Sequence, residues 1–394
     1  GGGHASPPPP GGETTALPGP VGPGEPAGVD LKGLFSVDGK AVIPPPADKR
    51  PVLVQFDYGR PCTVRSVSYS SRAKAKGLII ATQVPSSWAD DFYGQGMRFI
   101  PPLGRIEASD DGVKWRVIRE LPAFGPQIDG WTHRPAAFPA TTARFFRLSL
   151  DVKEVELTIS GVVLRGDARI DQWEIKSGNV ADFSNPDQTP DYAGNETIDP
   201  AAIIDLTKMC GADGKLSWNA PPGRWTILRL GHTPTGAKTK HGRHEGLGLE
   251  CDKLSAAATK VQFDHYVGVL LREARRLPGA KISGINIDSA EHGSQNWTAD
   301  FEAQFEKRRG YSMRKFLPAM MGCVVGSRET SDKFLFDVRR TIADLMSDEY
   351  FGTFRKLCHA EGMTSMAQAP GLATCLPSDN IQANVLEGSN ILEI

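Results

Sequence analysis

The chain has 394 residues, with 45 Lys plus Arg set against 46 Asp plus Glu, and 40% of its residues are apolar. So even a charge balance gives no electrostatic footprint for nucleic acid or an anionic membrane surface, and no run of about 18 apolar residues offers a membrane span. The length predicts two or three domains. The six cysteines, at 62, 210, 251, 323, 358 and 375, include no CxxC pair, which argues against structural zinc and a disulfide framework and for buried thiols.

Residues 1–48 are dense in Gly and Pro ("SPPPPGGETTALPGPVGPGEPAG") and read as an extended segment or linker. The opening "GGGHAS" has no Met and no signal segment, and the closing "GSNILEI" has no stop signal. Both ends read as cut from something longer, so a missing signal peptide says little about export.

Residues 49–172 carry an all-β pattern. "VLVQFDY", "TVRSVSYS", "ARFFRLSL" and "VELTISGVVLRG" supply strands. "RIEASDDGVKWRVI" reads as a hairpin: Ile106 and Ala108 alternate on one arm, Asp111-Gly112 form a type I′ turn, and Val113, Trp115 and Val117 alternate on the return. Many short strands with Gly, Pro and Asp turns predict a β-sandwich. Residues 173–249 read as a β-rich connector, with two strands around Pro221-Pro222-Gly223.

From residue 250 to 394 the period changes. "SAAATKVQFDHYVGVLLREARRL" predicts a helix capped by Ser255 and ended by Pro278-Gly279, with Ala257, Val261, Tyr266, Leu270 and Leu271 on one face. The strand "KISGINID" follows, then a helix from Thr298 to Gly310, a shorter one at "SMRKFLPAM", a long one from Ser331 to Gly362, and a strand at "MTSMAQAPG". Strands alternating with helices imply parallel strands joined by helical crossovers. Too few strands are present to close a (β/α)8 barrel of about 250 residues. The fold expected is therefore α/β plus all-β: a partial barrel preceded by a galactose-binding-like β-sandwich.

In such barrels the reacting groups sit at the C-terminal ends of the strands. Asp288 and Glu291 occupy that place in "GINIDSAEHGSQNWT", followed by Gln295, Asn296 and Trp297. Carboxylates do acid and base work, amides bond hydroxyls, and an indole stacks on a pyranose face, so the set suits a sugar. Each residue also has a plainer reading. Asp288 can satisfy a turn, Glu291 can be a solvated loop residue, Gln295 and Asn296 can form turns or caps, and Trp297 can pack in a core. His292 beside Glu291 can tune it electrostatically. Gln368 also ends a predicted strand, and Glu250 lies between Leu249 and Cys251, where an apolar setting raises a carboxylate pKa. Asp252 or Ser255 reads as a cap. His241 and His244 have no matching ligand nearby.

Four stretches in order, "GRWTILRLGHTPTG", "GLGLECDKLS", "DSAEHGSQNWT" and "FEKRRGYSMRKFLPAMMG", resemble glycoside hydrolase family 106, the α-L-rhamnosidases, from about residue 30 to the end. "IEASDDGVKWRVIRELP" with "ARFFRLSL" further resembles a discoidin-type sandwich. "GGGHAS" is similar to the end of an earlier barrel strand, and the proline run after it departs from that pattern. The resemblance implies an inverting enzyme with a glutamate acid, matched by Glu291, and a glutamate base beyond Ile394. Within the chain only Glu250, Asp288 or Glu387 could stand in for that base, so the chain alone is expected to be inactive. Ala290 stands where the family would place an aromatic. The resemblance also implies a calcium ion bound by carboxylates at the barrel mouth, a rhamnose-containing glycan as substrate, and a periplasmic or secreted location. Two alternatives stand beside it: a non-catalytic carbohydrate-binding or scaffold module, supported by tryptophans 88, 115 and 131, and a retaining glycosidase of the β-galactosidase type.

Overall fold

The computed structural model describes residues 40–43, 51–75, 104–121, 132–150, 155–179, 187–239, 244–287 and 294–367. The first part is one antiparallel sheet of six strands: β1 (Ala41–Ile43), β2 (Val52–Ala75), β3 (Gly104–Ser109), β4 (Arg116–Glu120), β5 (Thr132–Leu150) and β6 (Val155–Arg165). Their order is β1-β6-β2-β5-β3-β4. Two strands are long enough to serve two half-sheets. The first stretch of β2, Val52–Asp57, pairs with Leu150–Phe145 of β5, and β3 takes the other edge of those β5 residues. The later stretch of β2 pairs with the start of β5 and with β6.

Register shifts between Asp57 and Cys62 and between Val64 and Ser66 separate the halves. At the first shift Gly59 adopts φ 68° and donates its N–H to Asp57 Oδ1 at 2.8 Å. Three extra residues on β2 are thus accommodated against β5, which interrupts the ladder between the halves. Val54, Phe56, Ile106, Phe146 and Leu148 from one half share a single apolar cluster with Ile43, Val67, Tyr69, Phe138 and Ile159 from the other. The two halves thus share one core.

The predicted hairpin differs in its turn. Strand β3 ends at Ser109 and β4 begins at Arg116, with a loop between them. The Ser109 hydroxyl accepts the Gly112 amide at 2.9 Å. The Asp111 carboxylate accepts the amides of Val113 and Lys114, each at 2.8 Å. Those side-chain bonds replace a two-residue turn. Trp115 consequently leaves the strand and lies over the Arg147 guanidinium, 4.0 Å from its centre.

The sheet is locked to the next segment by a buried ion pair. Arg119 of β4 donates to both oxygens of Asp171, at 2.6 and 2.9 Å. Asp171 also accepts the amides of Ala137 at 3.0 Å and Gln188 at 2.9 Å. A fully buried carboxylate is tolerable only with such a complete donor set.

The second part holds α1 (Trp173–Lys176), α2 (Ala256–Ala274), β7 (Gly284–Ile287), α3 (Phe301–Arg309), α4 (Arg328–Leu345), α5 (Thr353–Ala360) and β8 (Thr364–Ala367). Strands β7 and β8 are parallel, with Gly284 opposite Thr364 and Ile287 opposite Ala367. The crossover between them carries α3, a 3-10 segment, α4, a π-helical turn over Met346–Gly352 and α5. Phe301, Phe305, Phe334, Leu335, Val338 and Ile342 form the centre of its core.

Five further details differ from the sequence reading. The connector forms no strands among its described residues: the stretch from Leu216 to Gly231 makes only an isolated bridge, Cys210 to Leu216. Its alternation finds no partner, and Ile227 stays 59% exposed. Helix α2 buries Thr259, Phe263, Val267 and Leu271, an i, i+4 row, whereas Val261, Tyr266 and Leu270 face solvent. The cap of α4 is Ser327, which accepts the Thr330 amide. Ser331 is buried in the first turn, bonding both Val325 N (2.8 Å) and Val325 O (3.0 Å). Helix α3 starts at Phe301 with Asp300 at its cap position, because the Thr298 hydroxyl is bonded elsewhere. The described cysteines are all free thiols, and Cys210 is exposed rather than buried.

Candidate functional site

Asp288, Glu291 and Gln368 lie outside the described residues, as do Ala290, His292, His241 and Glu387. Glu250, Gln295, Asn296 and Trp297 are described, and the structure brings Gln295 and Trp297 close to the segment that carries Glu250.

That segment, Glu250–Leu254, leads into α2. Glu250 receives the Lys253 ammonium at 2.5 Å, and the Lys253 side chain is 4% exposed. The same ammonium lies 5.5 Å from the ring centre of Tyr350, an electrostatically favourable distance for a cation over an aromatic face. Tyr350 sits in the π-helical turn between α4 and α5. A π turn adds a residue to the helix and is frequent at functional sites. Burial, followed by the charges of Cys251 and Glu250, pushes the Tyr350 hydroxyl well above its usual range. It therefore stays protonated near neutrality. Burial also raises the Cys251 thiol, which donates to Gln262 Oε1 at 2.8 Å. A thiol held protonated is a poor nucleophile.

Asp252 ties this segment to the residues after β7. Its Oδ1 accepts the Leu254 amide at 2.9 Å and the Gln295 side-chain amide. Its Oδ2 accepts the Thr298 hydroxyl at 2.6 Å. Gln295 returns a bond, its Oε1 accepting the Lys253 amide at 3.2 Å. Gln295 is thus a structural tie, with its donor and its acceptor both in use.

Asn296 points to a different element. Its amide donates to Ser177 O at 3.0 Å and to Asn179 Oδ1 at 2.9 Å. Gly178, at φ 74°, permits this approach, because a Cβ there would lie 3.2 Å from Asn296 Cβ and 2.9 Å from Ile342 Cδ1. Trp297 is half-buried, with its ring 4.9 Å from Phe301 and, stacked at 27°, 6.2 Å from His232. Of the sequence candidates described, Trp297 is half-buried and the Glu250 side chain is 21% exposed.

Asp252 read as a local cap and His232 as part of a motif. The signal for Asp252 was its spacing from Lys253 and Ser255 in "ECDKLS"; Tyr350 and Lys253 gave none, because their pairing spans almost 100 residues of chain. Among the described residues no group of three or more His, Cys, Asp or Glu side chains is placed to hold a metal ion. No helix there is long and apolar enough to cross a membrane.

The chain is of the glycoside hydrolase class. The sequence model of glycoside hydrolase family 106, described as alpha-L-rhamnosidase, matches residues 69–388, and the chain belongs to that family. Among solved structures it is similar to a rhamnosidase from Novosphingobium sp. PP1Y, at 26% identity and TM-score 0.66, over 90% of this chain and 31% of that one. A curated relative from Formosa agariphila, named "Putative beta-glucuronidase", is 42% identical over 197 residues, which are 50% of this chain and 17% of the relative. The chain thus spans less than a third of the solved rhamnosidase and about a sixth of the curated relative.

Proposed function

We propose that the polypeptide carrying this chain hydrolyses terminal α-L-rhamnosides of glycans with inversion, and that Glu291 is its general acid. The observation that carries this reading is the family match over residues 69–388, which includes the whole "DSAEHGSQNWT" stretch. In sequence, Glu291 falls between the end of the parallel strand β7 and the anchored Gln295. Strands β7 and β8 are read as two strands of a (β/α)8 barrel, and a carboxylate following a barrel strand has the expected catalytic address.

In the proposed reaction Glu291 gives its proton to the glycosidic oxygen as the anomeric C–O bond breaks. A second carboxylate takes a proton from the water that attacks the anomeric carbon from the opposite face. The two carboxyl groups of an inverting pair stand about 6.5–9.5 Å apart. The family resemblance implies that second group beyond Ile394; of the carboxylates within the chain that could stand in for it, Glu250 is engaged by Lys253. Calcium, implied by the family resemblance, takes oxygen ligands. Glu250 and Asp252, the described carboxylates nearest the site, are both committed to protein donors, so they do not fit as its ligands and no step is routed through it. A periplasmic or secreted location belongs to the same reading.

A second reading, cleavage of a β-glucuronide, follows the name of the 42%-identical relative. A uronate would need a cation for its carboxylate. The buried cation of the described site, Lys253, is already paired with Glu250, which favours a neutral sugar. Turnover of aryl α-L-rhamnosides against aryl β-D-glucuronides, with the first-formed anomer followed by NMR, tests both. We expect rhamnoside cleavage and an inverted first product. Glucuronide cleavage alone, or a retained anomer, contradicts the proposal.

A further inference from the structure

We infer that a cleft between the end of α1, the loop at 187–191 and the first half of α4 binds a stretch of neutral glycan. It encloses about 870 Å³, a volume within the range of ligand pockets. Its walls include Lys176, Asp187, Asp191, Arg328, Asp332 and Phe336. The charges on these walls are matched to one another. The Lys176 ammonium donates to Asp332 Oδ1 at 2.7 Å and to the Thr189 hydroxyl at 3.2 Å, and it lies 3.0 Å from Asp187. The Arg328 guanidinium approaches Asp187, Asp191 and Asp332 at 3.4, 3.5 and 3.6 Å.

That pairing selects the ligand class. An anion would meet carboxylates whose cations are already taken. A metal ion lacks its ligand set, since among the described residues no group of three or more His, Cys, Asp or Glu side chains is placed to hold one. An uncharged ligand rich in hydroxyls fits: each carboxylate keeps lone pairs beyond its ion pair, and among the described residues no carboxylate comes closer to Arg328 than 3.4 Å. Phe336 supplies the apolar half of the site. It lies one turn beyond Asp332 on α4 and is 48% exposed, whereas Phe334 and Leu335 beside it are buried. A pyranose packs its C–H face on such a ring while its rim hydroxyls reach the polar groups.

The cleft also lies on the side where a strand of glycan would run. Helix α4, the π turn and α5 are continuous over residues 328–360. Near the end of that run Phe354, Leu357 and Cys358 share a cluster with Ile285, and earlier in it Tyr350 and Phe351 share one with Ile287. The run is therefore antiparallel to β7, and Phe336 lies about 20 Å further along it than Tyr350, past the C-terminal end of the strand. That end is the mouth in the barrel reading, on which this placement rests, though the chemistry of the cleft does not.

The test is electrophoresis of the complete polypeptide through gels containing rhamnan, a neutral polymer of L-rhamnose. Every protein carries Glu291→Gln so that the polymer is not consumed. Phe336→Ala and Asp191→Ala, the latter at a side chain 92% exposed, are each expected to weaken binding about tenfold with the midpoint of a denaturant melt unmoved. Unchanged retardation in either variant, or a loss seen only together with a lowered midpoint, overturns the inference. Equal or stronger retardation by polygalacturonate, an acidic polymer, overturns it as well. Turnover of an aryl α-L-rhamnoside is read separately, without Glu291→Gln. Its absence would sink the proposed function and leave the cleft to stand or fall on the gels.

Discussion

Strands β2 and β5 run for 24 and 19 residues and bond to neighbours on both edges. Strands β7 and β8 are four residues each, and among the described residues they pair only with each other. The antiparallel part builds its core within the stretch from Ala41 to Arg165. The α/β part has a core of its own around Phe301, Phe305 and Phe334, yet β7 has no fully buried residue, and the connector exposes Trp225, Ile227, Leu228 and Leu230. Parallel sheets are ordinarily covered on both faces. The contrast lies in the strand edges rather than in the cores, and the chemistry is proposed for the part with more open edges.

Two substitutions sharpen that contrast. Phe146, fully buried in the shared core of the half-sheets, should cost about 3–5 kcal/mol as Phe146→Ala, read from the midpoint of a denaturant melt. A loss under about 1 kcal/mol would mean that the sheet is not the stable unit. Leu228→Ser, at a 39%-exposed connector position, should change stability by no more than about 0.5 kcal/mol in the same melt. A larger loss would show that this apolar stretch is covered in the complete polypeptide.

Periodicity made much of the fold legible. Strands β2, β3, β5 and β6, the Ser255 cap, the Gly310 stop and the two parallel strands overlap the stretches their patterns mark, whereas β1 falls in the segment read as a linker. What it missed has a common physical origin in side chains bonding to backbone or to distant segments. The Asp111-Gly112 pair looked like a tight turn, but the Ser109 and Asp111 side chains cap a longer loop. Ser331 looked like a cap, and its hydroxyl instead stitches Val325 to the helix start. "TILRL" alternates, but a strand forms only with a partner. In the site, Gln295 looked free to meet a sugar hydroxyl, and its amide is spent on Asp252. Nothing local in the sequence announces the Lys253–Tyr350 contact.

The central claim, that Glu291 supplies the proton to the leaving sugar oxygen, is tested most directly by kcat/KM of Glu291→Gln on an alkyl α-L-rhamnoside. General acid catalysis contributes about 10²–10⁴-fold, so a loss in that range is expected, with the inhibition constant for free rhamnose unchanged. Parent-like turnover on that substrate would contradict the account.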